Sequence, residues 1–338
     1  MSYRIAINGY GRIGRCVLRA ITERRLNDEL QVVAINDLAA PDTLAYLTRL
    51  DSTHGRFPGN VHLEGDQLLI DDNPPITLLR EPSVTLLPWS SLGIDMVFDC
   101  SGHSGTRAYA EQHLQAGASR FLFSHPARDD VDATIIDGVN HDALNPRYTI
   151  ISAGSCTTNA LVPVLTELDN AFGVTYGVTT TLHSAMNDQP VIDAAHPDDL
   201  RLARSAMSSM IPVTTSLKTG ISRLMPHLED RFECLHVRVP TINVSMMDIS
   251  LTLNTPVTVD QVNHRLAEAA RTHLDGKLGF TADPMVSIDF NHDSRSSILD
   301  ATQTRVAGRH LVKLVCWFDN EWGYTNRMID VARRWLSA

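Results

Sequence analysis

Tyr3-Arg-Ile-Ala-Ile-Asn-Gly-Tyr-Gly-Arg-Ile-Gly-Arg15 decides the fold of this chain. A short apolar strand, Tyr3 to Asn8, runs straight into a G-x-G-x-x-G turn at Gly9, Gly11 and Gly14, and a helical pattern follows from Ile13 to Arg24. In such a unit the first glycine makes the tight turn, the second lets backbone approach a pyrophosphate, and the third lets helix and strand pack closely. The helix N-terminus then faces the phosphates. A second strand, Gln31 to Asn36, ends at Asp37, whose carboxylate suits ribose hydroxyls and repels a 2′-phosphate. The expectation is a Rossmann domain that binds NAD rather than NADP.

Further short apolar strands at 94–99 and 120–124 flank a helical stretch from Arg107 to Ala116, as in βαβ units. The polar insert 56–90 alternates and carries turn signals such as Asp72-Asn73-Pro74-Pro75, which predicts hairpin strands. After Arg147–Ser152 the pattern changes. Leu161 to Phe172 reads as a helix that Pro163 kinks or delays. Alternating strands follow at Gly177–His183, Phe232–Pro240, Val244–Leu253, Val286–Phe290 and Leu311–Phe318, with helices within Val257–Leu274 and over Trp322–Leu336. The fold class is therefore α/β, with an N-terminal Rossmann domain (1–155) and an α+β catalytic domain (156–320) on a mostly antiparallel sheet. The terminal helix, 321–338, is expected to return to the first domain.

A chain of 338 residues, 43% apolar, can bury two cores. Net charge is −10 and no Lys/Arg tract appears, which argues against nucleic acid or an anionic membrane as partner. The apolar runs are strand-length, so no span of a bilayer is expected. Five cysteines without a CxxC or close His spacing point to a reducing, cytoplasmic setting with no disulfide frame and no metal. With a strand starting at Tyr3, no signal peptide or transit segment is expected before it. His196 near Asp198 and Asp199 reads as a polar loop.

Cys156, in Ser152-Ala-Gly-Ser-Cys-Thr-Thr-Asn-Ala160, is the candidate nucleophile. Most free cysteines are small buried hydrophobes. This one precedes a helical pattern, where backbone N–H groups favour a thiolate. Beside a dinucleotide site, a thiolate suggests aldehyde oxidation through a hemithioacetal and a thioester. That chemistry needs a base, and His183, closing the strand Thr179-Thr-Thr-Leu-His183, is the candidate among 14 histidines.

Residues 3–15, Ser155-Cys-Thr-Thr-Asn159, Arg238-Val-Pro-Thr241 and Asp319-Asn-Glu-Trp-Gly-Tyr324 together resemble the glyceraldehyde-3-phosphate dehydrogenase family over essentially the whole chain. Within it, Phe123-Ser-His-Pro126, His183-Ser-Ala-Met-Asn-Asp-Gln189, Asp289-Phe-Asn-His-Asp293 and Thr302-Gln-Thr-Arg-Val306 resemble the erythrose-4-phosphate dehydrogenase branch. The resemblance implies Cys156 as nucleophile and His183 as its base and partner. It places Gly9, Gly11, Arg12, Ile13, Gly14 and Asp37 on NAD, Asn320 on the nicotinamide carboxamide, and Tyr324 near the ring. It puts Arg238 on the substrate phosphate, with Ser155, Thr157 and Thr215 lining the phosphate sites. It further implies a homotetramer, in which Ser184–Met210 crosses to a neighbour; its apolar residues Val191, Ile192, Met207, Met210 and Ile211 suit an interface or an intrachain loop.

Met186 stands where the family's phosphorylating enzymes usually carry threonine, Leu202 where they carry arginine, and Ser216 where they carry glycine. Fewer anion donors point to water as the deacylating agent. Gly154 replaces a usual asparagine and is expected to loosen the turn before Cys156; Ala160 removes a second cysteine. The leading expectation is NAD-dependent oxidation of D-erythrose 4-phosphate to 4-phospho-D-erythronate, feeding pyridoxal 5′-phosphate synthesis. A phosphorylating glyceraldehyde-3-phosphate dehydrogenase is the alternative, and a non-catalytic NAD-binding redox sensor the third reading.

Overall fold

The computed structural model describes residues 2–338. The chain divides into two compact units: one runs to Ser155 and includes Thr325–Ala338, the other is Cys156–Tyr324.

The first unit is built on a nine-stranded sheet in the order Ala133–Thr134, Ile150–Ser152, Arg120–Phe123, Met96–Asp99, Tyr3–Asn8, Leu30–Asn36, Ile76–Leu79, Gln67–Ile70, Val61–Glu64. Every neighbouring pair from Ala133–Thr134 to Ile76–Leu79 is parallel. Strands such as Met96-Val-Phe-Asp99 are buried on both faces, as helix-covered parallel strands must be. The last two strands come from the insert and pair antiparallel, a hairpin added to the sheet edge. Tyr3–Asn8 lies between Leu30–Asn36 and Met96–Asp99, so the connections leave it in opposite directions. The crevice for a ligand opens at the carboxyl ends of such strands. A buried ladder ties those ends: Asn36 Nδ2 donates to Asn8 Oδ1 (2.9 Å), and Asn8 Nδ2 donates to Asp99 Oδ1 (2.9 Å).

Within this unit the C-terminal part of the helix Trp322–Leu336 is held by charge and hydrogen bonds. Arg333 forms a fork on Glu29 (2.9 and 2.7 Å), Arg24 pairs with Asp330 (2.6 Å), and Tyr3 Oη donates to Leu336 O (2.7 Å).

The second unit carries an eight-stranded sheet, in the order Ile211–Val213, Phe232–Arg238, Val174–His183, Ser245–Leu253, Leu311–Phe318, Ser297–Asp300, Leu278–Thr281, with Arg305–Ala307 also on Leu311–Phe318. Two pairs are parallel and the rest antiparallel. Ser245–Leu253 alternates buried and half-buried residues without a break, the pattern of a sheet with one covered face.

Two local expectations need correction. Val286–Phe290 is no strand: Ser287–Phe290 is a 3₁₀ turn, closed by Asp289 Oδ2 accepting from Val286 N (2.8 Å). A short carboxylate competing for its own backbone overrides the period-two pattern. The helix expected from Leu161 begins at Cys156 and runs through Pro163 to Phe172. Pro163 therefore lies inside the helix, where its ring nitrogen cannot donate to the carbonyl four residues back. Among the described residues, no helix is long and apolar enough to cross a membrane.

Candidate active site

In the first unit, the glycines of the opening turn do separate jobs. Gly9 has φ +86°, and a Cβ there would meet Ser101 backbone at 2.5 Å. A Cβ on Gly14 would lie 2.2 Å from Gly9 O, so helix and turn pack backbone to backbone. Above Gly11 there is open space, the approach a pyrophosphate needs. Asp37 is fixed by two backbone donors, Tyr10 N (2.8 Å) and Ala39 N (2.9 Å), one on each oxygen. Its remaining lone pairs suit ribose hydroxyls. Arg12 forks onto Asp51 (2.5 and 3.1 Å), so its side chain anchors the helix start. Ile13 is the next residue of that helix. These residues fit a dinucleotide.

Sequence reasoning missed a pair at the same edge of this sheet. His125 Nε2 lies 3.7 Å from Oδ2 of the fully buried Asp99. Burial opposes ionisation of Asp99, but the nearby His125 ring, with hydrogen bonds from Asn8 and Ser101, outweighs it and holds the carboxyl below its ordinary value. Gly154 has φ +70°, a conformation open to glycine and asparagine alike, and its N–H donates to Ser152 Oγ (3.0 Å). The turn before Cys156 is therefore held, contrary to the expected loosening.

In the second unit, three elements end together. Cys156 opens the helix Cys156–Phe172, His183 closes the strand Val174–His183, and Arg238 closes Phe232–Arg238 directly beside it in parallel register. Cys156 Sγ stands 3.5 Å from His183 Nε2. His183 Nδ1 lies 2.8 Å from Ser184 O and 2.9 Å from Arg238 Nη1. One ring nitrogen cannot serve both. With Nδ1–H donating to Ser184 O, Nε2 is bare and faces the thiol as a base. With Arg238 donating to Nδ1, Nε2 carries the proton and faces the sulfur as a donor.

Burial pushes the Cys156 thiol up to about 11, against Arg238 and the N–H groups of Thr157 and Cys156. Burial, then Arg238 and His236, bring His183 down to about 3. The helix start does favour the thiolate, but desolvation wins, and the pair rests as neutral thiol and neutral imidazole.

Asn320 is buried, and its Oδ1 accepts from Ser184 Oγ (3.0 Å) and Ser245 Oγ (2.8 Å). Ser245 Oγ already accepts from Ser184 N (3.1 Å), so its proton is directed to Asn320 and fixes the amide's orientation. Asp319 accepts from Glu321 N (2.9 Å) and Trp322 N (2.7 Å) and starts the helix that carries the buried Tyr324. A Cβ on Gly323 would sit 2.4 Å from Arg295 O, which accounts for the small residue between Trp322 and Tyr324. Thr215 Oγ1 accepts from Leu217 N (3.2 Å) at the start of the helix Leu217–Leu224. Ser155 and Thr157 flank Cys156, Ser155 closing the first unit's N-terminal segment. Met186 and Ser216 are exposed and Leu202 half-buried. Arg204 is engaged with Asp193 (2.7 Å) at the surface. His196 Nδ1 accepts from Asp198 N (3.2 Å) and Asp199 N (3.1 Å), which is turn chemistry.

Three buried histidines give stability a pH dependence. Burial lowers His113 and His236 to about 4, and His183 to about 3. Below the ordinary value near 6.5, the unfolded chain takes up protons that the folded one refuses. The stability is therefore present above 6.5 and is lost as pH falls toward 4 and 3. Each histidine contributes a slope of up to about 1.4 kcal/mol per pH unit. Urea unfolding at pH 6.5 and pH 5 should show the loss; an unchanged midpoint would contradict neutral burial.

Residues 3–107 match the NAD binding domain of glyceraldehyde 3-phosphate dehydrogenase, and residues 155–320 match its C-terminal domain. The cofactor is NAD, and the activity is that of an NAD-dependent oxidoreductase acting on a phosphorylated aldehyde. With both of its domains present in order, the chain belongs to the glyceraldehyde 3-phosphate dehydrogenase family.

Proposed function

We propose that this enzyme oxidises D-erythrose 4-phosphate to 4-phospho-D-erythronate, with water rather than phosphate releasing the product, in the cytoplasm and in service of pyridoxal 5′-phosphate synthesis. Cys156 adds to the aldehyde carbon as His183 Nε2 takes the thiol proton. The Cys156 N–H and the protonated His183 then steady the oxygen. Bound NAD supplies the hydride acceptor. Asn320, its amide orientation fixed, would hold the carboxamide through its Nδ2 donor, with Tyr324 toward the nicotinamide end. Loss of hydride leaves a thioester on Cys156, which water cleaves to the acid and the thiol. Arg238 grips the substrate phosphate with a guanidinium fork.

The observation that carries the choice of water is the sparse supply of anion donors. Arg238 is seated against His183, whereas Arg204 is engaged by Asp193, and Met186 and Leu202 offer no donor. The phosphorylating reading keeps one support, the Thr215 hydroxyl at a helix start, with Ser155 and Thr157. NAD reduction is expected to run faster with erythrose 4-phosphate than with glyceraldehyde 3-phosphate, and to gain little from added phosphate. Strict phosphate dependence with the triose would reverse the assignment.

The assembly we propose is a homotetramer. Val191, Ile192, Leu200 and Met210 are 73–88% exposed in the single chain, which suits an interface, and sedimentation velocity is the check.

A further inference from the structure

The oxidation steps leave one buried imidazole without a task. His236 lies on Phe232–Arg238, two residues before Arg238 and on the same face of the sheet. Its register partners are Thr181 on one side and Val213 on the other. Its ring stacks on that of His183, with centroids 4.9 Å apart and planes at 27°. It is 7% exposed, yet neither ring nitrogen has a hydrogen-bond partner within the protein; the Oγ1 of Thr181 beside it is equally buried and unpartnered.

The buried His113 keeps one nitrogen engaged, Nδ1 by Trp89 Nε1 (3.1 Å), and leaves only Nε2 without a partner, whereas both nitrogens of His236 lack one. Two unpartnered nitrogens next to the catalytic ring call instead for a small polar ligand. Burial and then Arg238 lower His236 to about 4, so near neutrality it holds one N–H and one bare nitrogen. An uncharged ring suits water better than an anion. A substrate phosphate neutralising Arg238 would relieve the smaller part of that lowering, burial being the larger. The neighbouring strand Ile211–Val213 leads into Thr215, so His236 sits on the strand between the His183 strand and the approach to that turn.

We propose that His236 is the general base of deacylation, receiving a proton from the water that attacks the Cys156 thioester. This rests on the hydrolytic reading above. Water oxygen bonds to the thioester carbon while one of its protons passes to His236. The C–S bond then breaks, sulfur leaves with its electron pair, and that proton returns to it as the thiol. The second water proton departs with the acid, which ionises. No oxidant or reductant is consumed.

The test is stopped-flow NADH formation with erythrose 4-phosphate in the parent, His236→Gln and His236→Phe. Both variants should give a burst of about one NADH per site at nearly the parental rate, then a steady state at least ~100-fold slower. Intact-protein mass spectrometry should find the acyl group accumulating on Cys156, and hydroxylamine should restore turnover. The burst itself reports that a variant is folded. If glutamine at 236 prevents folding, the phenylalanine variant, which keeps an aromatic ring on His183, carries the same readings. A steady state within threefold of the parent, or a burst slowed as much as the steady state, overturns the proposal. A parent that turns over only with phosphate overturns the hydrolytic reading instead, and that result is read without any variant.

Discussion

Cys156→Ser is expected to abolish aldehyde oxidation, with kcat/KM falling by at least ~10⁴-fold, or about 5.5 kcal/mol of barrier. The substitution removes little volume and leaves the helix start intact, so the loss is chemical. A serine hydroxyl is far harder to deprotonate than a thiol and a weaker nucleophile toward the aldehyde, so the same base no longer delivers an attacking anion. NADH absorbance measures the loss. NAD affinity should change little, because the substitution leaves Gly9, Gly11, Gly14 and Asp37 of the dinucleotide turn and the amide of Asn320 untouched. Turnover within tenfold of the parent would remove covalent catalysis at this thiol, and would favour the redox-sensor reading.

His183→Asn is the second large effect, a fall of about 10²–10⁴ in kcat. Asparagine can point an N–H at the sulfur but cannot receive its proton. Cys156, held up at about 11, then depends on hydroxide. The variant's rate should climb with pH through the alkaline range, where the parent, resting as a neutral pair, stays flat. A loss below tenfold with a parental pH profile would assign the base elsewhere.

How much of this could be read in the sequence depends on the reach of each interaction. The dinucleotide turn was legible because Gly9, Gly11, Gly14 and the strand-end Asp37 are local requirements of one βαβ unit. Val286–Phe290 misled because alternation was present but Asp289 closed a turn on its own backbone. The placement of Arg238 against His183 depends on two strands about fifty residues apart pairing in one register, which no local pattern encodes. The same pairing hid His236, which reads as an ordinary inward residue of an alternating strand. The competition between a helix start and burial at Cys156 was also out of reach, because sequence names the helix start but not the depth of the sulfur.

The amide and carboxylate ladder from Asn36 through Asn8 to Asp99 has a consequence for how the dinucleotide binds. Three strand ends joined by buried hydrogen bonds cannot splay independently, so the crevice is preorganised before anything enters it. Little conformational entropy remains to be lost there on association. Affinity for the dinucleotide should then follow the contacts made at the crevice rather than any work of assembling its floor.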